Sequence, residues 1–153
     1  MRALLWGLVP ALLGACDDPP ALPGADVVGN DTVTPTCTVE ATLSSLKANY
    51  FATSCAFSAC HDKRSAEGDL DLSASDLHAQ LVGVPAVQEA AFAAGKLRVV
   101  AGNPDASFMV QKVEGTMAID EGTWMPDGTD EVVDPDCRVK RLKEWIAAGA
   151  LDN

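Results

Sequence analysis

Aromatic side chains and positive charges are both scarce in this chain. Trp, Tyr and Phe make up 5% of its 153 residues, and 11 Lys and Arg residues stand against 22 Asp and Glu residues. The net charge of −11 gives a surface that repels phosphate backbones, which argues against nucleic-acid binding. Such a surface favours solubility and would attract a basic partner protein.

Long apolar runs are also lacking, apart from one segment at the N-terminus. After a positively charged start, residues 3–15 are apolar with few interruptions, which is too short for a membrane-spanning helix and typical of a signal peptide. The segment ends in Leu-Gly-Ala-Cys, which resembles the lipobox of bacterial lipoproteins. We therefore expect a signal peptide at residues 1–15 and a lipid on Cys16; the alternative is an ordinary signal peptide cut near Ala15. Either route leads out of the cytoplasm into an oxidising compartment.

The segment that follows is rich in Pro, Gly and Asp and has few large apolar residues. It cannot bury a core, so we expect residues 16–36 to be a lipidated, flexible tether. Residues 37–153 have the length of one domain. The expected location is the bacterial cell envelope, with the domain lipid-anchored in the periplasm or at the outer face of a membrane.

Helical periodicity recurs through residues 37–153, which predicts an all-α fold of about four helices joined by long loops. The first helix is predicted over residues 38–51 and a short second one from near Ser75. Asn103-Pro104-Asp105 and Asp134-Pro135-Asp136 are typical helix starts, and the two helices are expected to end near Gly115 and Gly149. A long loop, residues 116–133, separates them. The positions predicted to face the core in the first and last helices are Val39, Leu43, Leu46, Tyr50, Val139, Leu142, Trp145 and Ile146.

The stretch most suggestive of chemistry is CAFSACH at residues 55–61. Two cysteines stand five apart, and a histidine directly follows the second. Covalent haem attachment accounts for this order, because two sulfurs bond the vinyl groups and the adjacent imidazole then reaches the iron. The usual motif is CxxCH, so residues 56–59 would have to bulge outward, which small Ala and Ser side chains permit.

The same stretch is also compatible with a disulfide or with a zinc site. A Cys55–Cys60 disulfide would leave His61 as a polar neighbour, and the local sequence does not choose between this disulfide and haem. A zinc site would use Cys55, Cys60 and His61 but lacks a fourth ligand nearby, and exported proteins seldom keep thiolates for zinc. Modest helices with few large side chains leave a thin core, which a large, flat, apolar haem would fill.

The order of motifs between residues 55 and 150 resembles the cytochrome-c-like domains of exported bacterial proteins, notably the planctomycete and myxobacterial type. The matching stretches are SCAFSACHD, GDLDLS, VVAGNPDASFMVQKVEG, MPDG and LKEWIAAGA. The chain departs from the family pattern in its CxxxxCH spacing and in Ala-Gly-Asn-Pro at residues 101–104. The CxxxxCH spacing itself resembles a variant used at some haems of multihaem bacterial cytochromes.

The resemblance implies a class I cytochrome-c-like fold around one covalently attached haem c. Its function would be single-electron transfer to a redox partner protein, and a basic partner would suit the acidic surface. Cys55 and Cys60 would hold the haem, His61 would be the proximal ligand, and Met125 of the Met-Pro pair would be the distal ligand. The sequence shows no catalytic acid–base pair or nucleophile, so an electron carrier is expected rather than an enzyme.

Three further side chains are of a type that can bind haem iron. Met117 lies in the same loop as Met125 and is its rival as distal ligand. Met109 falls at an apolar helical position and is expected to fill the core, and His78 is expected to be a surface residue. If Met125 were displaced, an open iron site would bind a small ligand or reduce peroxide.

In that resemblance the final helix packs across the first, which would bring Cys37 and Cys137 within disulfide reach. Lipid on Cys16 and haem on the CAFSACH cysteines would then use all five cysteines. All five cysteines are equally well accounted for without haem, by two disulfides and one lipid, and this would belong to a protein of another functional class. That alternative is a disulfide-stapled, haem-free lipoprotein binding module with the cytochrome fold.

Overall fold

A computed structural model of the chain describes residues 36–153. In this part of the chain the regular structure is helical, and β-pairing is limited to isolated bridges that join Val82 to Val99, Pro85 to Leu97 and Leu97 to Ser107. None of the helices among these residues is long and apolar enough to cross a membrane.

The first helix, α1, consists of three consecutive segments: α-helical Leu43–Leu46, π-helical Lys47–Phe51 and α-helical Ala52–Ser54. It begins and ends later than the predicted residues 38–51. The Thr42 hydroxyl accepts a hydrogen bond from the Ser45 amide at 3.2 Å, and this N-cap sets the start of the helix.

A short 3-10 helix, Glu67–Asp69, comes next. Four further helices follow: α2 (Leu77–Leu81), α3 (Glu89–Ala93), α4 (Phe108–Glu114) and α5, in which π-helical Pro135–Val139 continues as α-helical Lys140–Ala147. The predicted start of α4 at Asn103 is wrong. The Asn103 side chain accepts a hydrogen bond from the Ala106 amide at 3.2 Å and so closes a turn that precedes the helix. No predicted helix corresponds to α3, which the Gln88 side chain caps by accepting from the Ala91 amide at 2.8 Å.

The main core is one continuous cluster in which α1 and α5 contribute most of the large side chains. All eight positions predicted to face the core are buried. Trp145 of α5 is 1% exposed, and its indole N–H donates to the Leu151 carbonyl at 2.8 Å. Ala86, Ala91 and Phe108 form a separate small cluster.

A disulfide joins Cys37, just before α1, to Cys137 in the first turn of α5, with the two Cα atoms 5.3 Å apart. The C-terminus reaches α1 as well, because the Leu43 amide donates to the Asn153 side chain at 3.0 Å. We call α1, α5 and the disulfide between them the helical frame.

Candidate functional site

The CAFSACH loop, residues 55–61, begins where α1 ends. The Cys55 amide still donates to the Phe51 carbonyl at 2.8 Å, but the backbone angles of Cys55 leave the helical region. The loop then closes on itself, since the His61 amide donates to the Cys55 carbonyl at 3.2 Å. Residues 57–59 are exposed, so the segment between the two cysteines turns outward.

The turn directly after His61 fixes the exit from this loop. The Asp62 carboxylate accepts hydrogen bonds from the backbone amides of Arg64 at 2.8 Å and Ser65 at 3.2 Å. These hydrogen bonds hold the pKa of Asp62 below its ordinary value, and the bond from the Arg64 amide has the larger effect. The carboxylate therefore stays charged and keeps the turn closed at neutral pH.

A buried arginine organises the segment that follows. The Arg98 guanidinium donates to the carbonyls of Gly68 at 2.8 Å, Asp69 at 3.0 Å and Gln80 at 2.9 Å. In the same turn the Glu67 amide donates to the Cys60 carbonyl at 3.0 Å. Arg98 thus holds the turn at residues 67–69, and this turn holds the Cys60 carbonyl through the Glu67 amide.

Cys55 and Cys60 are free, half-buried thiols, in contrast to the bonded pair Cys37 and Cys137. Burial raises the pKa of the Cys55 thiol to about 12; Arg138 opposes this shift, and Cys60 adds to it. The site thus suits an uncharged sulfur, as in a thioether or a disulfide, and opposes the thiolate that zinc binds. A zinc site needs a cluster of ligands, and no group of three or more His, Cys, Asp or Glu residues within 36–153 is arranged to hold a metal ion.

The two histidines differ in their hydrogen bonding. The Nδ1 atom of His61 is buried and has no partner among the described residues. Leaving a buried polar atom unpaired costs about 1–3 kcal/mol, so such atoms usually have a partner. The Nε2 atom of His78, by contrast, lies 2.8 Å from the Ala150 carbonyl. A histidine that follows two free thiols directly in the chain is the set of groups that covalent haem attachment requires, so the residues of the CAFSACH loop fit a haem c.

Arg138, the residue after the disulfide cysteine, connects α5 to the end of α1. Its guanidinium donates to the Ser54 hydroxyl at 2.6 Å and lies 5.9 Å from the centre of the Tyr50 ring. Its Nε atom is 3.3 Å from the Asp134 carboxylate. Arg138 therefore holds the residue before Cys55 and is the cation that acts on the Cys55 thiol.

The candidate methionines have different surroundings. Met125 is half-buried and packs against the main core cluster, as Cys55 and Met109 do. Met117 packs instead against the small cluster around Phe108. Met125 therefore packs against the same core cluster as Cys55, and Met117 packs against the other cluster.

The 116–133 loop lies against α4 at two points next to Met125. The Met125 amide donates to the Lys112 carbonyl at 2.9 Å. The Trp124 ring lies directly over Gly115, where a Cβ atom would come within 1.9 Å of it. Gly115 also ends α4 with a φ of +66°, a conformation that glycine adopts readily. Glycine at position 115 thus lets the loop turn back and cover the end of α4.

Sequence reasoning missed the residues that support this site. Arg138 could have been suspected, because it directly follows Cys137 in a predicted helix. Nothing in the sequence separates Arg98 from the other cations. The same holds for the ion pair between the half-buried Lys96 and the buried Glu121.

Two surface grooves, of about 390 and 170 Å³, are lined by residues other than Cys55, Cys60, His61 and Met125. A group attached to the CAFSACH loop would therefore lie outside both grooves. The predicted signal peptide, Cys16 and nearly all of the tether fall outside the described residues. No protein-family model matches this chain, and no curated protein or solved structure does so either.

Proposed function

We propose that the protein is a membrane-tethered, monohaem c-type cytochrome that carries single electrons in the bacterial cell envelope. The observation that carries this proposal is the CAFSACH loop, in which two free thiols stand beside a histidine with a buried, unpaired ring nitrogen. The ordered motifs that resemble cytochrome-c-like domains support the same function and imply a class I cytochrome-c-like fold. Haem c, when bound, supplies a one-electron iron couple.

Each residue of the loop would have a defined role. Cys55 and Cys60 would bond the haem, and the burial of Cys55 suits an uncharged thioether sulfur. His61 would bind the iron from one face, with its backbone held by the Cys55 carbonyl on one side and the Asp62 turn on the other. The chain itself therefore orients the imidazole.

Met125 would be the second protein ligand of the iron. Its packing against the same core cluster as Cys55 supports this role over Met117. A thioether opposite an imidazole favours ferrous iron and raises the reduction potential. If Met125 does not bind, the open iron would serve ligand sensing or peroxide reduction instead of electron transfer.

The lipid on Cys16 and the tether of residues 16–36 would keep the domain at a membrane surface. The acidic chain would favour a basic redox partner, whose association should weaken as salt rises. Cys16→Ala should move the protein from the membrane to the soluble fraction, because the helices of residues 36–153 offer no span. A variant that still sediments with membranes would contradict this anchor.

Covalent haem is tested by producing the protein with a c-type maturation system. The wild type should remain red after denaturation and acid–acetone extraction, whereas Cys55→Ser/Cys60→Ser should be colourless. The alternative function, a disulfide-stapled binding module without haem, predicts a colourless wild type that contains a Cys55–Cys60 disulfide.

The distal ligand is tested with a matched pair of methionine variants. Ferric haems with His and Met ligands show a weak sulfur-to-iron charge-transfer band at the red end of the spectrum. Met125→Ala should abolish this band, lower the potential and open the iron to carbon monoxide, while Met117→Ala should change none of the three. The reverse pattern would transfer the role to Met117, and free carbon monoxide binding by the wild type would favour the open-site function.

A further inference from the structure

Glu121 is the only buried acidic residue among residues 36–153, with 2% of its surface exposed. It lies in the 116–133 loop, four residues before Met125. Its Oε2 atom accepts hydrogen bonds from the Lys96 ammonium at 2.5 Å and from the Ala118 amide at 2.7 Å. Burying a carboxylate costs desolvation free energy unless the carboxylate is paired in this way. The conformation of the loop in which Glu121 is buried therefore depends on these contacts.

Lys96 connects the loop to two helices. It follows α3 in the chain, and its ammonium also donates to the Gln111 side chain of α4 at 2.7 Å. The same ammonium lies 5.5 Å from the centre of the Phe108 ring, also in α4. One cation thus ties the segment after α3, the first turns of α4 and the 116–133 loop together.

Lys112 is the second cation that faces Glu121. Its ammonium lies 3.4 Å from the Glu121 carbonyl and 5.8 Å from the Phe108 ring centre. Burial lowers the pKa of Lys112, and the charges of Asp127 and Glu121 oppose this shift. The Lys112 carbonyl also accepts the hydrogen bond from the Met125 amide, so the contacts of Glu121 and Met125 meet on α4.

Few apolar contacts would hold this loop if the ion pair were removed. Ile119 is fully exposed, and Met117, Trp124 and Met125 are only half-buried. A loop with so little buried apolar surface opens at lower free energy than the helical frame does. The ion pair therefore acts together with the packing of Trp124 on Gly115 and the Met125–Lys112 hydrogen bond to hold the loop on α4.

We propose that the Lys96–Glu121 ion pair positions Met125. The pair holds the 116–133 loop on α4, and this fixes the Met125 backbone at the Lys112 carbonyl. The inference rests on the proposed function, in which Met125 is the distal ligand. Lys96 and Glu121 are positioning residues, since their hydrogen bonds and ion pairs involve neither Met125 nor the CAFSACH loop.

The test uses Lys96→Met, Glu121→Gln and the double variant Lys96→Met/Glu121→Gln. Each single change leaves one charge, the buried Glu121 or the half-buried Lys96, without its partner and should raise the opening equilibrium of the loop on the order of tenfold. Faster hydrogen exchange at the Ala118 and Met125 amides, with unchanged exchange in α1 and α5, measures this opening with or without haem. The double variant should lose less than the sum of the two singles.

The loaded protein gives the second measurement. Lys96→Met and Glu121→Gln should weaken the sulfur-to-iron band and admit carbon monoxide, whereas the exposed controls Lys63→Met and Asp120→Asn should keep the wild-type spectrum. Unchanged exchange at Met125 in both variants would overturn the proposal, and so would faster exchange with an intact band. A protein without haem overturns the proposed function instead, and the Met125 amide exchange still decides whether the pair positions this residue.

Discussion

The helical frame and the two loops of the candidate site are held together by different interactions. The frame buries large apolar side chains such as Leu46 and Trp145 and is closed by the disulfide. The CAFSACH and 116–133 loops expose Phe57 and Ile119 and are held by backbone hydrogen bonds, short turns and one buried ion pair. The frame can therefore supply most of the stability while the loops carry the candidate site residues, which is how rigid scaffolds commonly present functional residues.

Removing the disulfide is the strongest way to break the frame. Cys37 and Cys137 close a loop of 100 residues. In the chain-entropy model a loop of that length stabilises the fold by about 4–5 kcal/mol. Cys37→Ser/Cys137→Ser should lose about this much free energy of unfolding, measured by urea titration, and a loss of under about 1 kcal/mol would show that the frame does not depend on the bond.

A matched pair of truncations compares the two regions directly. Leu46 of α1 is fully buried, and Leu46→Ala should cost about 3 kcal/mol of unfolding free energy because it leaves a cavity. Ile119→Ala in the 116–133 loop should change stability by less than about 0.5 kcal/mol, since its side chain is exposed. Similar losses in the two variants, measured by the same urea titration, would contradict the division between frame and loops.

Two glycine substitutions isolate the packing of the 116–133 loop. Gly102 and Gly115 both have positive φ, so Ala at either position costs about 1–2 kcal/mol for the backbone. Only at Gly115 does the new methyl group collide with Trp124. Gly115→Ala should therefore cost about 1 kcal/mol more and shift the Trp124 fluorescence, while equal effects of the two variants would mean that Trp124 does not cover α4 in solution.

Acid should loosen the 116–133 loop before the frame. The hydrogen bond from Lys96 lowers the pKa of Glu121 below its ordinary value. A group with a lowered folded-state pKa stabilises the fold fully above its unfolded pKa, about 4.3 for Glu, and this contribution is lost as the pH falls through the lower folded value. In a Trp145→Phe background, which leaves Trp124 as the tryptophan of residues 36–153, the fluorescence should thus change below about pH 4 with Glu121 present but not in Glu121→Gln.

The pKa of Asp62 is also lowered, but Asp62 lies in the turn after the CAFSACH loop. It therefore serves as a control carboxylate outside the 116–133 loop. Asp62→Asn should leave the acid change of Trp124 in place. An acid change that disappears with Asp62→Asn and persists with Glu121→Gln would assign the effect to the CAFSACH loop instead of the 116–133 loop.

Periodicity was a good guide where burial follows a helical face, as at Leu43 and Leu46 of α1 and Leu142 of α5. The Asn-Pro-Asp start signal was misleading at Asn103, because the amide oxygen of this residue closes a turn that precedes the helix. Periodicity missed α3, whose one buried residue, Ala91, is too small to mark an apolar face.

The site was predictable only in part. The CAFSACH loop is contiguous, so the sequence alone shows that its two cysteines and histidine lie close together. The contacts around it join residues that are far apart in the chain, such as Arg138 with Ser54 and Lys96 with Glu121. Pairs of this kind depend on tertiary structure and leave no periodic signal in a single sequence.

The most direct test of covalent haem attachment is peptide mass spectrometry of the CAFSACH segment. The protein is made with a c-type maturation system, its thiols are alkylated under denaturing conditions without reductant, and the peptide that carries residues 55–61 is isolated. We expect a peptide with one haem bonded to Cys55 and Cys60 and no alkylated cysteine. A peptide of haem-free mass, with these two cysteines joined in a disulfide or both alkylated, would contradict the cytochrome function.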